Sequence, residues 1–166
     1  MDGLPILARV AALLEKHGLE TVLIGNAAAA LQGAPVTTVD LDFLYRRTPA
    51  NIKKLYAIAA GLNATLMKPH YPVSGMIRIS RDEDGLQLDF MGEIHGIRSF
   101  EGLRKRALEI RIGEAQVLVA GLTDIIKSKK AAGRPQDLAV LTLLEKALEE
   151  GTHHPKRPAG SSQERE

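Results

Sequence analysis

The sequence predicts an α/β (α+β) domain, a mixed β-sheet flanked by helices and closed by further helices at its C-terminal end. Three observations carry this prediction. Helix-like and strand-like periodicities alternate early in the chain, extended segments cluster in its middle, and two amphipathic stretches end the ordered part. The 166 residues, 45% hydrophobic and 25% charged, are enough for one buried core.

Each element has its own local reason. In LPILARVAALLEKHG the apolar residues Leu4, Leu7, Ala11 and Leu14 recur at helical spacing, with Ile6, Val10 and Leu13 widening the stripe and Gly18 stopping it. TVLIG reads as a short buried strand, and NAAAALQG as a helix opened at Asn26 and closed at Gly33. After the APVTT turn comes the strand TVDLDF. Thr48-Pro49 opens a helix with apolar Ile52, Leu55, Tyr56 and Ala59, running to Gly61. MIRIS and LQLDFM are strands joined by the turn RDEDG. RSFEGLRKRA is a short helix, and ALEIRI and AQVLVA are strands around Gly113. GLTDIIKSKKAA and RPQDLAVLTLLEKALEE are closing helices separated by Gly133. The expected domain spans residues 1–150, and the polar, Pro/Gly/Ser-rich residues 151–166 read as a flexible tail.

The bulk properties exclude several functions. A net charge of +2 gives no electrostatic argument for nucleic-acid binding. With no cysteine there is no disulfide, no thiolate metal site and no cysteine nucleophile. His95 has no second ligand at metal spacing, while His70 and His153-His154 read as loop and tail residues. MDGLPILARV lacks the pattern of a signal peptide, and no apolar run is long enough to span a membrane. The expected location is therefore cytoplasmic.

The chemistry-bearing pattern is acidic. Asp40 and Asp42 are two residues apart in a β-branched, apolar run, so they share one face of a strand while Val39, Leu41 and Phe43 share the other. Two carboxylates held that close demand a cation. Asp89 stands in a second alternating strand; facing the same way, it would bring a third carboxylate to the same point. Hard divalent ions such as Mg²⁺ take oxygen ligands of this kind together with substrate phosphates. Two such ions roughly 3.5–4 Å apart can clamp the attacking and leaving oxygens of a phosphoryl displacement. Ile24-Gly25-Asn26, a strand leading through a glycine into a helix start, suits the approach of a phosphate.

Together these pieces resemble the nucleotidyltransferase superfamily that includes DNA polymerase β, the minimal nucleotidyltransferases and the aminoglycoside nucleotidyltransferases. Its signature is an apolar residue, Gly, then Gly or Ser, a gap, Asp-apolar-Asp/Glu-apolar, and a third carboxylate on a later strand. Here it stands as Ile24-Gly25-Asn26, Asp40-Leu41-Asp42-Phe43 and Asp89. DIIKSKKAAGRPQDL is similar to the helix-loop-helix of the AbiEii-type toxin branch, and the resemblance covers about Gly18 to Glu150. It implies a nucleotidyltransferase-like sheet and Mg²⁺- or Mn²⁺-dependent transfer of a nucleoside monophosphate from an NTP to a hydroxyl. The acceptor it implies is an RNA such as tRNA, a protein or a small molecule, and the toxin branch implies an antitoxin partner. By the same resemblance Asp40, Asp42 and Asp89 hold metal, Asp89 also assists the acceptor hydroxyl, and Gly25 and Asn26 hold the triphosphate. Lys129 reaches the phosphates, with Lys127 and Lys130 as neighbours able to take that role. Arg134 and Asp137 contact nucleotide or brace the Lys129 helix. Two departures stand out: Asn26 occupies a position that is usually Ser or Gly, and Val140 one that is often Asp. They motivate a second reading, a catalytically silent relative that binds nucleotide or a partner.

Overall fold

A computed structural model describes residues 3–37, 40–68 and 75–153. Among these, in chain order, lie α1 (Gly3–His17), β1 (Thr21–Ile24), α2 (Gly25–Leu31), β2 (Leu41–Tyr45), α3 (Pro49–Gly61), β3 (Thr65–Met67) and β4 (Ile77–Arg81). They are followed by β5 (Leu86–Met91), α4 (Phe100–Arg106), β6 (Leu108–Ile112), β7 (Ala115–Val119), α5 (Leu122–Ala132) and α6 (Pro135–His153). The strands form one sheet in the order β3-β4-β5-β2-β1-β7-β6. It is mixed: β1 with β7 and β2 with β5 are parallel, and the remaining neighbours are antiparallel. The predicted α/β class and helix-flanked mixed sheet are what the chain adopts.

Sequence signals explain most boundaries. Gly18 and Gly133, which follow α1 and α5, have φ of 61° and 64°, the left-handed region that glycine enters without steric cost. Thr48 caps α3, its side chain accepting from the backbone N–H of Asn51 at 3.2 Å, with Pro49 in the first helical position. Arg81 and Asp84 pair across the β4–β5 turn, Nε to Oδ1 at 3.0 Å.

Four expectations change. The helix predicted to open at Asn26 starts at Gly25 with Ile24 as its cap residue and no side-chain cap bond, so Asn26 is inside the first turn. On α3, Tyr56 faces outward at 50% exposure, while Ile58 takes the core position. β3 was not anticipated. α6 continues through residues 151–153, past the expected end of the domain, while the rest of the tail (154–166), His70 and Thr38-Val39 lie outside the described residues.

The core is a double layer around the central strands. Leu23, Phe43 and Phe90 are fully buried and Ile77 nearly so, and they are register partners across β1, β2, β5 and β4. Phe43 and Phe90 stack with ring centroids 4.8 Å apart, and Tyr45 meets Phe90 edge-on. α1 packs on β7 and α3, α2 on β1 and β2, and α5 lies against α6 and α2.

Candidate active site

Neighbouring positions in a strand point to opposite faces, so the row next to these buried side chains emerges on the other side of the sheet. That row is Ile24, Asp42, Asp89 and Arg78. The register pairs Ile24 with Asp42, Asp42 with Asp89, and Asp89 with Arg78 across β1, β2, β5 and β4. Asp40 immediately precedes β2. The sheet therefore brings Asp42 and Asp89 side by side on one face, and Asp40 is close enough for its charge to act on Asp42.

A cation already stands on Asp89. Arg78 Nε donates to Asp89 Oδ1 at 2.8 Å and its terminal nitrogen to Oδ2 at 3.2 Å, a two-point, charge-assisted pair. Gln87 Nε2 adds a bond to Oδ2 at 3.1 Å. The Asp89 side chain is only 10% exposed. Arg78 holds its proton more tightly than usual, first because of this hydrogen bond and then through the charges of Asp89, Asp40 and Asp42.

Asp42 is the opposite case. Burial, then the charges of Asp89 and Asp40, push its carboxyl up to about 6, against relief from Lys129 and Arg134. Gly25 lies directly against it: a Cβ built there would stand 3.2 Å from Asp42 Oδ2, and its φ is 68°. The chain thus needs glycine here both for conformation and for room. Asn26 is half-buried, and its Oδ1 is shut from solvent with no hydrogen-bond partner among the described residues.

The far wall comes from α5 and α6. The Lys129 side chain is 12% exposed and reaches Asp137 Oδ1 at 3.5 Å, whereas Lys127 and Lys130 are exposed and Lys130 pairs with Glu145 at 3.0 Å. Of the three lysines, Lys129 is the one turned inward. Asp137 is buried at 2% exposure and also takes both arms of Arg134, at 2.6 and 3.3 Å. Burial pushes its carboxyl up, but the Arg134 hydrogen bond and the charges of Arg134 and Lys129 outweigh that and hold it below the usual carboxylate range. Asp137 therefore braces the two cations. Val140, at the position where an aspartate was noted as missing, packs half-buried against the core.

Helix α5 is fixed relative to α2 by Gln32. Its Nε2 donates to Ala120 O at 2.7 Å, and its Oε1 accepts the Leu122 N–H at 3.1 Å. Because α5 has no side-chain cap of its own, this amide satisfies a helix-end donor and joins the two walls of the site.

The residues at 40 and 42 suit a divalent ion, offering hard carboxylate oxygens where the charges of Asp40 and Asp89 bear on a buried Asp42. Asp89 fits less simply, because both its oxygens are engaged by Arg78 and Gln87. Among the described residues, no three His, Cys, Asp or Glu side chains are already arranged to hold a metal. Arg78 and Gln87 escaped the sequence reading. Counting outward from the RDEDG turn, 81 against 86 and so on, sets Arg78 opposite Asp89, so the signal was present in the hairpin. A separate open cavity of about 300 Å³, bordered by Leu14, Glu20, Thr21 and Arg104, lies at the other end of β1 and shares no residue with this constellation.

A mixed sheet with Asp-x-Asp at the entry of one strand, an aspartate on its parallel neighbour and a glycine-opened helix beside them has the form of a nucleotidyltransferase fold. The solution structure of the antibiotic-resistance factor ANT(2'')-Ia superposes with a TM-score of 0.61 at 16% identity, covering 93% of this chain and 100% of that one. The lincosamide antibiotic adenylyltransferase LnuA, solved with lincomycin bound, gives 0.59 at 13% identity, over 85% and 95% of the two chains. TM1012 of Thermotoga maritima gives 0.56 at 20% identity, over 89% and 92%. No functionally curated protein matches the sequence. The profile of the family described as "Nucleotidyl transferase of unknown function (DUF2204)" matches residues 4–154, and the chain belongs to that family. Among the described residues, no helix is long and apolar enough to cross a membrane.

Proposed function

We propose that the chain is a metal-dependent enzyme that transfers a nucleoside monophosphate from an NTP to an acceptor hydroxyl. The observation that carries this reading is the registered pair Asp42–Asp89 on one face of the sheet, with Asp40 beside it and Lys129 facing it. Asp40 and Asp42 hold Mg²⁺ or Mn²⁺, which when bound offsets the charge of the triphosphate and of the departing pyrophosphate. Gly25 lets the backbone come close beside Asp42, and the side-chain amide of Asn26 in the same turn would hold a phosphate oxygen by donating through Nδ2. The acceptor oxygen bonds to the α-phosphorus as the bond from that phosphorus to the β-phosphate bridge breaks. The hydroxyl proton goes to Asp89, whose carboxylate retains lone pairs beyond those used by Arg78 and Gln87. Lys129, braced by Asp137 with Arg134, draws the charge that builds on the leaving phosphates. Positioning and charge stabilisation account for the catalysis without a covalent intermediate.

The acceptor is an RNA end, a protein hydroxyl or a small molecule. ANT(2'')-Ia and LnuA support small acceptors by likeness of fold; the block from Asp124 to Asp137 supports the toxin branch and an antitoxin partner. The test is incubation of the purified chain, Mg²⁺ and each α-labelled NTP with total RNA, a protein extract or an antibiotic panel. Label should pass to one acceptor class, and Asp42→Asn should stop it. Absence of transfer with every NTP, together with absence of metal-dependent NTP binding, would favour the silent relative instead.

A further inference from the structure

The transferase reading allows for two divalent ions between the carboxylates. Three carboxylates, Asp40, Asp42 and Asp89, converge with one guanidinium, Arg78, whose charge also bears on all three. Arg78 and Gln87 place donors on both Asp89 oxygens, at 2.8, 3.2 and 3.1 Å. A metal ion shared between Asp42 and Asp89 would have to take the one acceptor direction that three donors leave on Asp89, beside a guanidinium nitrogen at 2.8 Å, or else break a two-point ion pair whose carboxylate is 10% exposed and whose guanidinium is 32% exposed. The first course sets two cations against each other, and the second leaves charge in a poorly solvated place.

We propose that Arg78 stands in the place of a second divalent ion. The site then binds one ion, through Asp40 and Asp42, while Asp89 is held by Arg78 as the carboxylate facing the acceptor. This rests on the transferase reading above and deepens it. Arg78 is a positioning residue by this account, acting through Asp89.

The test counts ions rather than turnover. The full chain is equilibrated with Mn²⁺ and the α,β-methylene analogue of each NTP in turn, and bound Mn²⁺ and nucleotide are measured per chain. Electron paramagnetic resonance then reports whether two Mn²⁺ ions are coupled. The wild-type chain should hold one uncoupled Mn²⁺ per bound nucleotide, and Arg78→Met should hold two. Two coupled ions in the wild-type chain would overturn the proposal whether or not Arg78→Met folds, and so would a folded Arg78→Met that stays at one. Zero Mn²⁺ in the wild-type chain with every analogue overturns both this assignment and the metal-dependent reading beneath it. Two wild-type ions with label transfer intact overturn the assignment alone.

Discussion

Asp42 sets the charge balance of the site, and its titration gives the first prediction. Burial, then the charges of Asp89 and Asp40, push its carboxyl from the ordinary 3.8 up to about 6 in the folded chain, with Lys129 and Arg134 opposing. Between those values the folded state binds the proton better, so Asp42's contribution to stability is fully present below 3.8 and lost as pH rises through about 6. Asp42→Asn should therefore raise the melting temperature of the metal-free protein at pH 8 and raise it less at pH 4.5. Equal shifts at both values would contradict the coupling. Gly25 is the second test. Alanine there must adopt a φ of 68° and set a Cβ 3.2 Å from the Asp42 carboxylate. A loss of about 1–2 kcal/mol in denaturant melts is expected from the left-handed backbone. Transfer should fall by about 10–100-fold as Asp42 is displaced. The acidic residues were legible because a strand's period of two predicts which side chains share a face. Arg78 was harder to see, since its meaning depends on register and an isolated arginine in MIRIS looks like a solvated edge.

At the scale of elements, the α5–α6 corner is the part most open to testing. Asp137 is the single buried carboxylate on which Lys129 and Arg134 both converge, the lysine from α5 and the arginine from the turn between the helices. Asp137→Ala leaves Lys129 poorly solvated without its partner, whereas Arg134, at 64% exposure, recovers water. The expected loss is about 2–4 kcal/mol, below that of a wholly buried pair. Transfer should suffer beyond this at temperatures where the variant is still folded, because Lys129 no longer has a fixed direction. Stability lost with kcat unchanged would reduce Asp137 to a structural role. The elements themselves were mostly legible, since glycine stops, the Thr48-Pro49 cap and the RDEDG turn are local signals. β3 was not, because Thr65–Met67 is three residues long, alternates exposed, half-buried and exposed, and has no buried face to give it a period. The start of α2 was misplaced for a related reason. Asn26 carries a cap-forming side chain, but the chain turns into the helix one residue earlier, at a glycine whose positive φ only the folded backbone discloses.

Across the whole molecule, the site depends on pairings that no local pattern encodes. β1 lies between β2 and β7, and β2 beside β5, so the carboxylate row unites strands far apart in the chain. Hydrophobicity told which residues would be buried but not which strands would adjoin, which is why the order of the sheet was unreadable while its membership, β3 apart, was legible. One consequence follows from the two faces of those strands. Behind Asp42, Asp89 and Arg78 run Phe43, Phe90 and Ile77, and the stacked phenylalanines tie β2 to β5 at the point where the two acids meet. Phe90 is fully buried, so Phe90→Leu removes ring contacts with both Phe43 and Tyr45 without introducing a polar group. A cost of about 1–2 kcal/mol is expected, which for a chain of this length lowers the melting temperature by about 2–8 °C. The sheet is continuous through this strand, so both halves should still melt in one transition, followed equally by circular dichroism and by calorimetry. Below that transition the variant should hold as many Mn²⁺ ions as the wild-type chain, because backbone pairing rather than the phenylalanine ring sets the register of Asp42 and Asp89. Two resolved transitions, or a changed ion count in the folded variant, would mean that the aromatic layer itself aligns the acids.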